Sequence, residues 1–421
     1  MKKTDIKKLF AFGTVALASS FACAQTASAP TSSVQLRGIV DMAYRHTNNE
    51  GAGKDGLSKM IDGGMSQSRW GINVEEDLGG GSKALVTLEN RFDADSGTPA
   101  AYSPFFQLAH VGLQGSYGRL TVGRQWNVLF DVVTSTYASF PYSPYMEAYK
   151  PELGMAMGAR TSNMLKYTFA TPDRSFVGSL QYSFDENNDT RGIDGITPAS
   201  LAPADLLAYR NNLTNAVRAQ TAGTLNGGAW KTAGGYLRYS ASGAAVGGGY
   251  MRSTLPGGTD VDAWTLGGSY RTGPWYLTAG YGLNKAKFTT TANPLSVQAR
   301  RNALDGAILG QFWGGQTNGG FQPGDANKRQ LFKIGVGYQA TPQLNLGAHY
   351  FRGKQSGSAT GAFNGNANFY VAVADYAFSK RTDAYFGVDH TSISGGGAVV
   401  LDTASKARSR TGITIGLRHR F

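Results

Sequence analysis

Basic side chains recur at every second position of segments whose other positions are apolar, and that spacing sets the chemistry open to them. By this two-residue parity Arg37, Arg69, Arg91, Lys166, Arg238 and Lys333 share a face with Asp41, Glu75, Glu89, Asp93 and Asp375. A face of fixed charges beside water acts on ions and dipoles through its field; it makes and breaks no bonds. Catalytic patterns are missing from the sequence, which has no G-x-S-x-G and no H-E-x-x-H. His46, His110, His349, His390 and His419 fall on different segments without ligand spacing, so no metal centre is expected. Gly51-Ala52-Gly53-Lys54 has the look of a phosphate loop, but no Ser or Thr follows the lysine, and it reads as a flexible loop. The alternative to a field is that these charges pair among themselves, as Glu89 and Arg91 are expected to at a spacing of two. Arg124 breaks the pattern: alternation from Leu120 and Val122 aims it at the apolar side. A bulge at Gly123, or a place at the strand's outer end, would turn it back.

The elements that carry these residues have a period of two, which excludes helix. Val34, Leu36, Val40, Met42 and Tyr44 oppose Gln35, Arg37, Asp41 and Arg45 in a first strand predicted over Val34 to His46. Trp70, Ile72 and Val74 oppose Arg69, Asn73 and Glu75, and the same holds for Ala84, Val86, Leu88 and Phe92 against Thr87, Glu89, Arg91 and Asp93. Short turns, such as Gly79-Gly81, Ser116-Gly118 and Ala241-Gly243, alternate with long loops at Thr47-Met65, Asn127-Arg160, Asp185-Gly228, Lys285-Asn327, Gly353-Gly365 and Ser392-Arg408. Segments of about ten alternating residues, joined by short and long connections in turn, are the signature of a transmembrane antiparallel β-barrel. The expected architecture is all-β with about sixteen strands, short periplasmic turns and long extracellular loops. Ile413, Ile415, Leu417, His419 and Phe421 share a face of the last strand, which is expected to close the sheet against the first. Tyr44, Trp70, Trp126, Trp264, Tyr270, Trp275, Tyr338, Tyr350 and Tyr376 near strand ends fit aromatic girdles at the two bilayer interfaces.

Composition agrees. Charged residues are 16% and aromatics 11% of 421, which argues against a disordered chain, and the 57 glycines follow no collagen period. A mean hydropathy of −0.27 excludes a bundle of membrane helices, whereas a barrel exposes only alternate residues to lipid. Lys2, Lys3, Lys7 and Lys8 precede an apolar run from Leu9 to Ala22, and residues 1–24 read as a signal peptide cleaved before Gln25. Residues 25–421 then form one barrel domain without cysteine, hence without disulfides or thiol chemistry. The formal charge is +12; four lysines and one aspartate leave with the signal, so the mature chain carries +9. Export makes nucleic acid an unlikely match for that charge, and a basic lumen that attracts anions a good one.

Several stretches carry a family resemblance. They are Ser33 to Asp41, Ser68-Arg69-Trp70-Gly71, Glu76 to Gly81, Lys83-Ala84 with Leu88-Glu89, Val111-Gly112-Leu113, Gly123-Arg124-Gln125, Ser379 to Tyr385 and Gly416 to Phe421. In these residues, in this order, the chain resembles the trimeric general porins of Gram-negative bacteria, in the branch common among beta-proteobacteria. The resemblance implies sixteen strands, a homotrimer, an outer-membrane location and passive diffusion of small hydrophilic solutes, with neither catalysis nor cofactor. It also implies that the third extracellular loop, Asn127-Arg160, folds into the lumen as an eyelet. Its carboxylates would be Asp131, Glu147 and Glu152, facing Arg37, Arg69, Arg91, Arg124 and Lys166 across the pore. Phe421 resembles the family's signal for outer-membrane assembly. Two positions depart from the pattern: Arg37 stands where an aromatic is usual, and Gln107 where arginine is common. Expected partners are a homotrimer, outer-membrane lipid and lipopolysaccharide, and small solutes with anions preferred; nucleic acid and metal are not expected. The alternatives are a substrate-specific outer-membrane channel, with Tyr137, Phe140, Tyr142, Tyr145 and Tyr149 as a stacking track, or a surface adhesin barrel.

Overall fold

In a computed structural model the described residues are 32–99, 105–139, 151–184, 231–255, 259–287, 326–358, 361–397, 399–401 and 406–421. The expected signal peptide, Glu147, Phe140, Tyr142, Tyr145 and Tyr149, the whole loop at 185–228 and most of the loop at 285–327 lie outside them.

Val, Ile, Tyr, Phe and Thr at alternate positions favour the pleated strand, and strands dominate. The first group is β1 (Ser33–Glu50), β2 (Asp55–Asp62), β3 (Arg69–Gly79), β4 (Ser82–Asp93), β5 (Thr98–Pro99), β6 (Leu108–Gly115) and β7 (Gly118–Trp126). Two helices follow, α1 (Val128–Thr136) and α2 (Pro151–Met155), and then β8 (Arg160–Ala170) and β9 (Phe176–Ser183). Next come β10 (Lys231–Ala241), β11 (Ala244–Leu255), β12 (Thr259–Thr272), β13 (Trp275–Lys287) and β14 (Lys328–Gln339). The chain ends with β15 (Leu344–Ser356), β16 (Gly365–Ala377), β17 (Thr382–Gly395) and β18 (Ser409–Arg420).

The pairings among the described strands are antiparallel and, apart from β1 with β3 and β4 with β6, run between sequence neighbours, while β1 also pairs with β18 from Ile39↔Arg420 to Thr47↔Gly412, so the sheet closes on itself. The inner half of β1 pairs with β3 and its outer half with β2, which makes β2 and β3 two halves of one stave. With the two-residue β5 set aside as a small extension of β4, the barrel has sixteen staves, as the alternation predicts. Closure runs one residue further, because Phe421 and Gly38 exchange backbone hydrogen bonds of 3.1 and 3.0 Å. The Phe421 ring covers the Cα of Gly38, where a side chain would collide with it.

The two faces separate as parity requires. Val34, Leu36, Leu266, Ile334, Ile415 and Leu417 stand exposed on the outer wall, Leu36 at 60% and Ile415 at 54%. Asp41 and Arg45, from the alternate positions of β1, are buried inside. Exposed aliphatics in unbroken rows would be costly in water and suit hydrocarbon. Among the described residues no helix is long and apolar enough to cross a membrane.

The stretch expected as a plain loop at 47–65 holds structure. The outer parts of β1 and β2 form a hairpin within 47–65. Residues 63–68 turn inward between β2 and β3, where Met65 and Ser66 donate backbone N–H bonds to Asp41 (3.1 and 2.6 Å). Tyr385 donates to the other oxygen of that carboxylate. The interior is also less uniformly polar than parity alone suggests. Inward-facing Met251, Val261, Ala263, Ala286 and Leu331 are buried with Val128, Leu129, Val132, Val133, Tyr137 and Met155 of loop three.

Candidate functional site: a charged constriction held by loop three

Loop three begins with Asn127, whose side chain accepts the Phe130 N–H at 2.8 Å and so caps α1. The helix is rich in β-branched residues, which are poor helix formers, so its stability comes from packing. Val128, Leu129, Val132, Val133 and Thr136 recur at helical spacing and are buried against the barrel wall. Each large apolar side chain buried this way contributes roughly 1.5–3 kcal/mol.

The wall beneath the loop is made of glycine. A Cβ at Gly247 would meet Val132 at 2.9 Å, one at Gly267 or Gly280 would meet the Tyr137 ring at 2.6 Å, and one at Gly282 would meet Met155 at 3.0 Å. The bare backbone of β11–β13 lets loop three lie flush instead of standing off by a side chain's width. Tyr137 is fully buried there, its hydroxyl 2.5 Å from Thr265 Oγ1. Burial, with the Glu152 charge nearby, holds its phenol well above the ordinary value, so it stays neutral.

The far end of the loop is pinned by charge. Glu152 of α2 is buried and paired with the buried Lys333 of β14. Its Oε1 also accepts Ser139 N at 2.7 Å and Ser139 Oγ at 2.8 Å. Asn284 Nδ2 donates to Gly154 O at 2.7 Å, a further tie between wall and loop.

A basic cluster gathers around Glu89. Glu89 of β4, 2% exposed, is the centre of four guanidiniums. Arg37 Nη1 lies 3.0 Å from Glu89 Oε2, Arg69 Nε 3.7 Å from it, Arg91 Nε 3.3 Å from Oε1 and Arg160 Nη2 3.8 Å from Oε1. Among the described residues four guanidiniums surround this one carboxylate, so basic groups outnumber acidic ones there. Arg160 also stacks on Trp126, its carbon 3.9 Å from the ring centre, and Trp126 stacks on Phe130 at 4.6 Å. Cation–π contact and aromatic stacking thus tie the cluster to the start of α1. Lys166 of β8 pairs with Asp131 at 2.8 Å and donates to Trp126 O at 2.9 Å.

The structure therefore brings Arg37, Arg69 and Arg91 together, with Lys166 beside Asp131. Glu152 does not face the arginines across the pore: Lys333 holds it against the wall. Arg124 is half-buried and donates to Ser162 Oγ at 2.8 Å. The register slips beside it, between Gly123 and Gln125, but the additional residue lies on β8, where Met164 and Thr161 are the partners. Arg160 was not singled out by parity, because in sequence it is merely the end of a loop. Lys333 was placed inward but not as the loop's anchor, and no sequence pattern names its partner.

A closed sheet of sixteen staves, apolar outside and charged within, whose third loop narrows the interior, defines a pore protein of the outer-membrane barrel type. The model of the Gram-negative porin family matches residues 13–396, and the chain belongs to that family. An outer membrane porin of Bordetella pertussis is 32% identical over 210 residues, 45% of this chain and 51% of that one. The matched stretch spans about half the length of the first curated relatives. Among solved structures, an anion-selective porin from Comamonas acidovorans superposes with a TM-score of 0.61 at 22% identity, over 93% of this chain and all of that one. The trimer form of Vibrio cholerae OmpT gives 0.57 at 13% identity, over 93% and 99%. At these identities the likeness is one of fold.

Proposed function

We propose that the protein forms a water-filled channel through the outer membrane for passive diffusion of ions and small hydrophilic solutes, and that it prefers anions. The observation that carries the preference is the cluster of Arg37, Arg69, Arg91 and Arg160 around Glu89, where basic groups outnumber carboxylates among the described residues. The Lys166–Asp131 pair adds no net charge. An excess of fixed positive charge in a narrow aqueous passage concentrates anions and repels cations. The mature charge of +9 and the anion selectivity of the Comamonas porin point the same way. Transport of this kind needs no catalytic group and no cofactor.

The field at the constriction orients dipolar solutes and disfavours apolar ones, whose passage would displace ordered water. Arg124, half-buried within electrostatic reach of Arg91, adds to it. Assembly as a homotrimer is supported by the trimer form of the Vibrio structure. Export by the first 24 residues and recognition of Phe421 during assembly complete the reading, with lipid and lipopolysaccharide around the outer wall.

The test is the reversal potential of the purified protein in a planar bilayer under a KCl gradient. Anion preference gives the sign set by chloride, and Arg37→Gln with Arg69→Gln moves the potential toward zero. A potential of the opposite sign in the unaltered protein refutes the preference.

A further inference from the structure

Below loop three the lumen wall opens into a recess that takes no part in the constriction. It holds about 500 Å³ and lies between the end of α1 and the parts of β10–β12 next to the short turn at 241–243. Short turns are periplasmic in such barrels, so the recess belongs to the periplasmic half of the lumen. Arg238 of β10 and Arg271 of β12 line it together with the hydroxyls of Ser135, Ser240 and Ser242, and none of the described lining residues is a carboxylate.

Three features suit it to an anion. The Nε of Arg238 is buried and has no hydrogen-bond partner among the described residues. Such a donor gains from any acceptor that reaches it. Arg271 lies over the ring of Tyr276, 4.5 Å from its centre, which helps hold its guanidinium at the recess. At the end of α1, whose negative dipole end would repel an anion, three successive carbonyls are already occupied. Thr136 O accepts from Ser269 Oγ at 2.5 Å, Tyr137 O from Thr278 Oγ1 at 2.9 Å and Ala138 O from Tyr276 Oη at 2.9 Å.

We propose that this recess binds a small oxyanion carrying two negative charges, of the class of inorganic phosphate or a short dicarboxylate. Two guanidiniums supply charge and forked donors, the geometry that oxyanions take up best, and the serine hydroxyls supply further donors. The site rests on the reading of the lumen as an aqueous passage but uses none of the residues around Glu89. It gives an anion that has passed the constriction a second foothold on the loop-three side of the pore.

Isothermal titration of inorganic phosphate into the detergent-solubilised full chain measures the site without any current. Saturable binding is expected. Arg238→Gln with Arg271→Gln weakens it about tenfold or more, as the loss of charge-assisted hydrogen bonds requires, while Arg37→Gln with Arg69→Gln leaves it unchanged. Arg238→Lys, which keeps the charge but loses the Nε donor, gives an intermediate affinity and serves if the double variant does not fold. No saturable binding, or full affinity in either Arg238 variant, overturns the proposal, as does loss of binding on changing Arg37 and Arg69. Absence of conductance with phosphate binding intact would instead sink the channel reading and leave the site standing.

Discussion

Replacing Lys333 with methionine isolates what holds the far end of loop three. Lys333 and Glu152 are 0% and 1% exposed at their side chains, and they are paired with each other. Removing one member of such a pair leaves a buried charge without its counterion, at a cost of about 3–5 kcal/mol. A penalty near 4 kcal/mol shifts the balance between docked and undocked loop by roughly 10³. Helix α1 stays seated, because Val128, Leu129, Val132 and Val133 do not depend on the pair. The released part is therefore α2 with Ser139, whose N–H and hydroxyl both donate to Glu152. Hydrogen exchange followed by mass spectrometry reads this directly. In Lys333→Met, amides of 151–157 lose about three decades of protection while those of 128–136 keep theirs, and the single-channel current becomes noisy. Adding Glu152→Gln removes the stranded charge, retains an acceptor for Ser139, and restores most of the protection. Unchanged protection in Lys333→Met, or a double variant worse than the single, would refute this account of the anchor.

Three other perturbations follow from the same geometry. Glu89→Gln removes the carboxylate that four arginines share, so the KCl reversal potential moves further toward the chloride limit; a shift toward potassium contradicts the basic character given to the constriction. Ile415→Arg puts a charge on the outer face near the middle of β18, with an expected cost of about 2–4 kcal/mol in refolding into lipid vesicles. An unaltered folding free energy would mean that this face does not meet hydrocarbon. Gly280→Val drives a side chain into the Tyr137 ring, an overpacking of about 1–3 kcal/mol. The loop gives way toward the pore centre, and single-channel conductance falls; equal conductance would show that the wall can yield instead.

The barrel was legible because its governing pattern is local. One parity decides the side for Leu36 and Arg37, or for Ile415 and Thr414, without knowledge of any distant contact, and the short turns mark where each strand reverses. The inward placement of Arg37, Arg69 and Arg91 came from the same source, and so did the Glu89–Arg91 pairing. Loop three obeyed another rule. Its residues 128, 129, 132, 133 and 136 do carry the helical period, but Val and Thr there suggest extended chain, and what makes them helical is a wall that lies over a hundred residues away. The Glu152–Lys333 pair, 181 positions apart, has no sequence signature at all. Nor does the inward turn at 63–68, which exists because Asp41 and Tyr385 offer it buried partners. Arg160 reached Glu89 by its position at a junction, where neither loop nor strand reasoning applied.

The bare backbone at 247, 267, 280 and 282 makes constriction and cylinder a matched set. Grafting this loop onto a related barrel would reproduce the aperture only if the host kept glycine at the corresponding places. Alanines there would lift the insert inward by about the width of a methyl group and shrink the bore without touching a single charged residue. Aperture size in such chains can then drift through neutral-looking changes on the supporting strands, leaving the ionic lining intact.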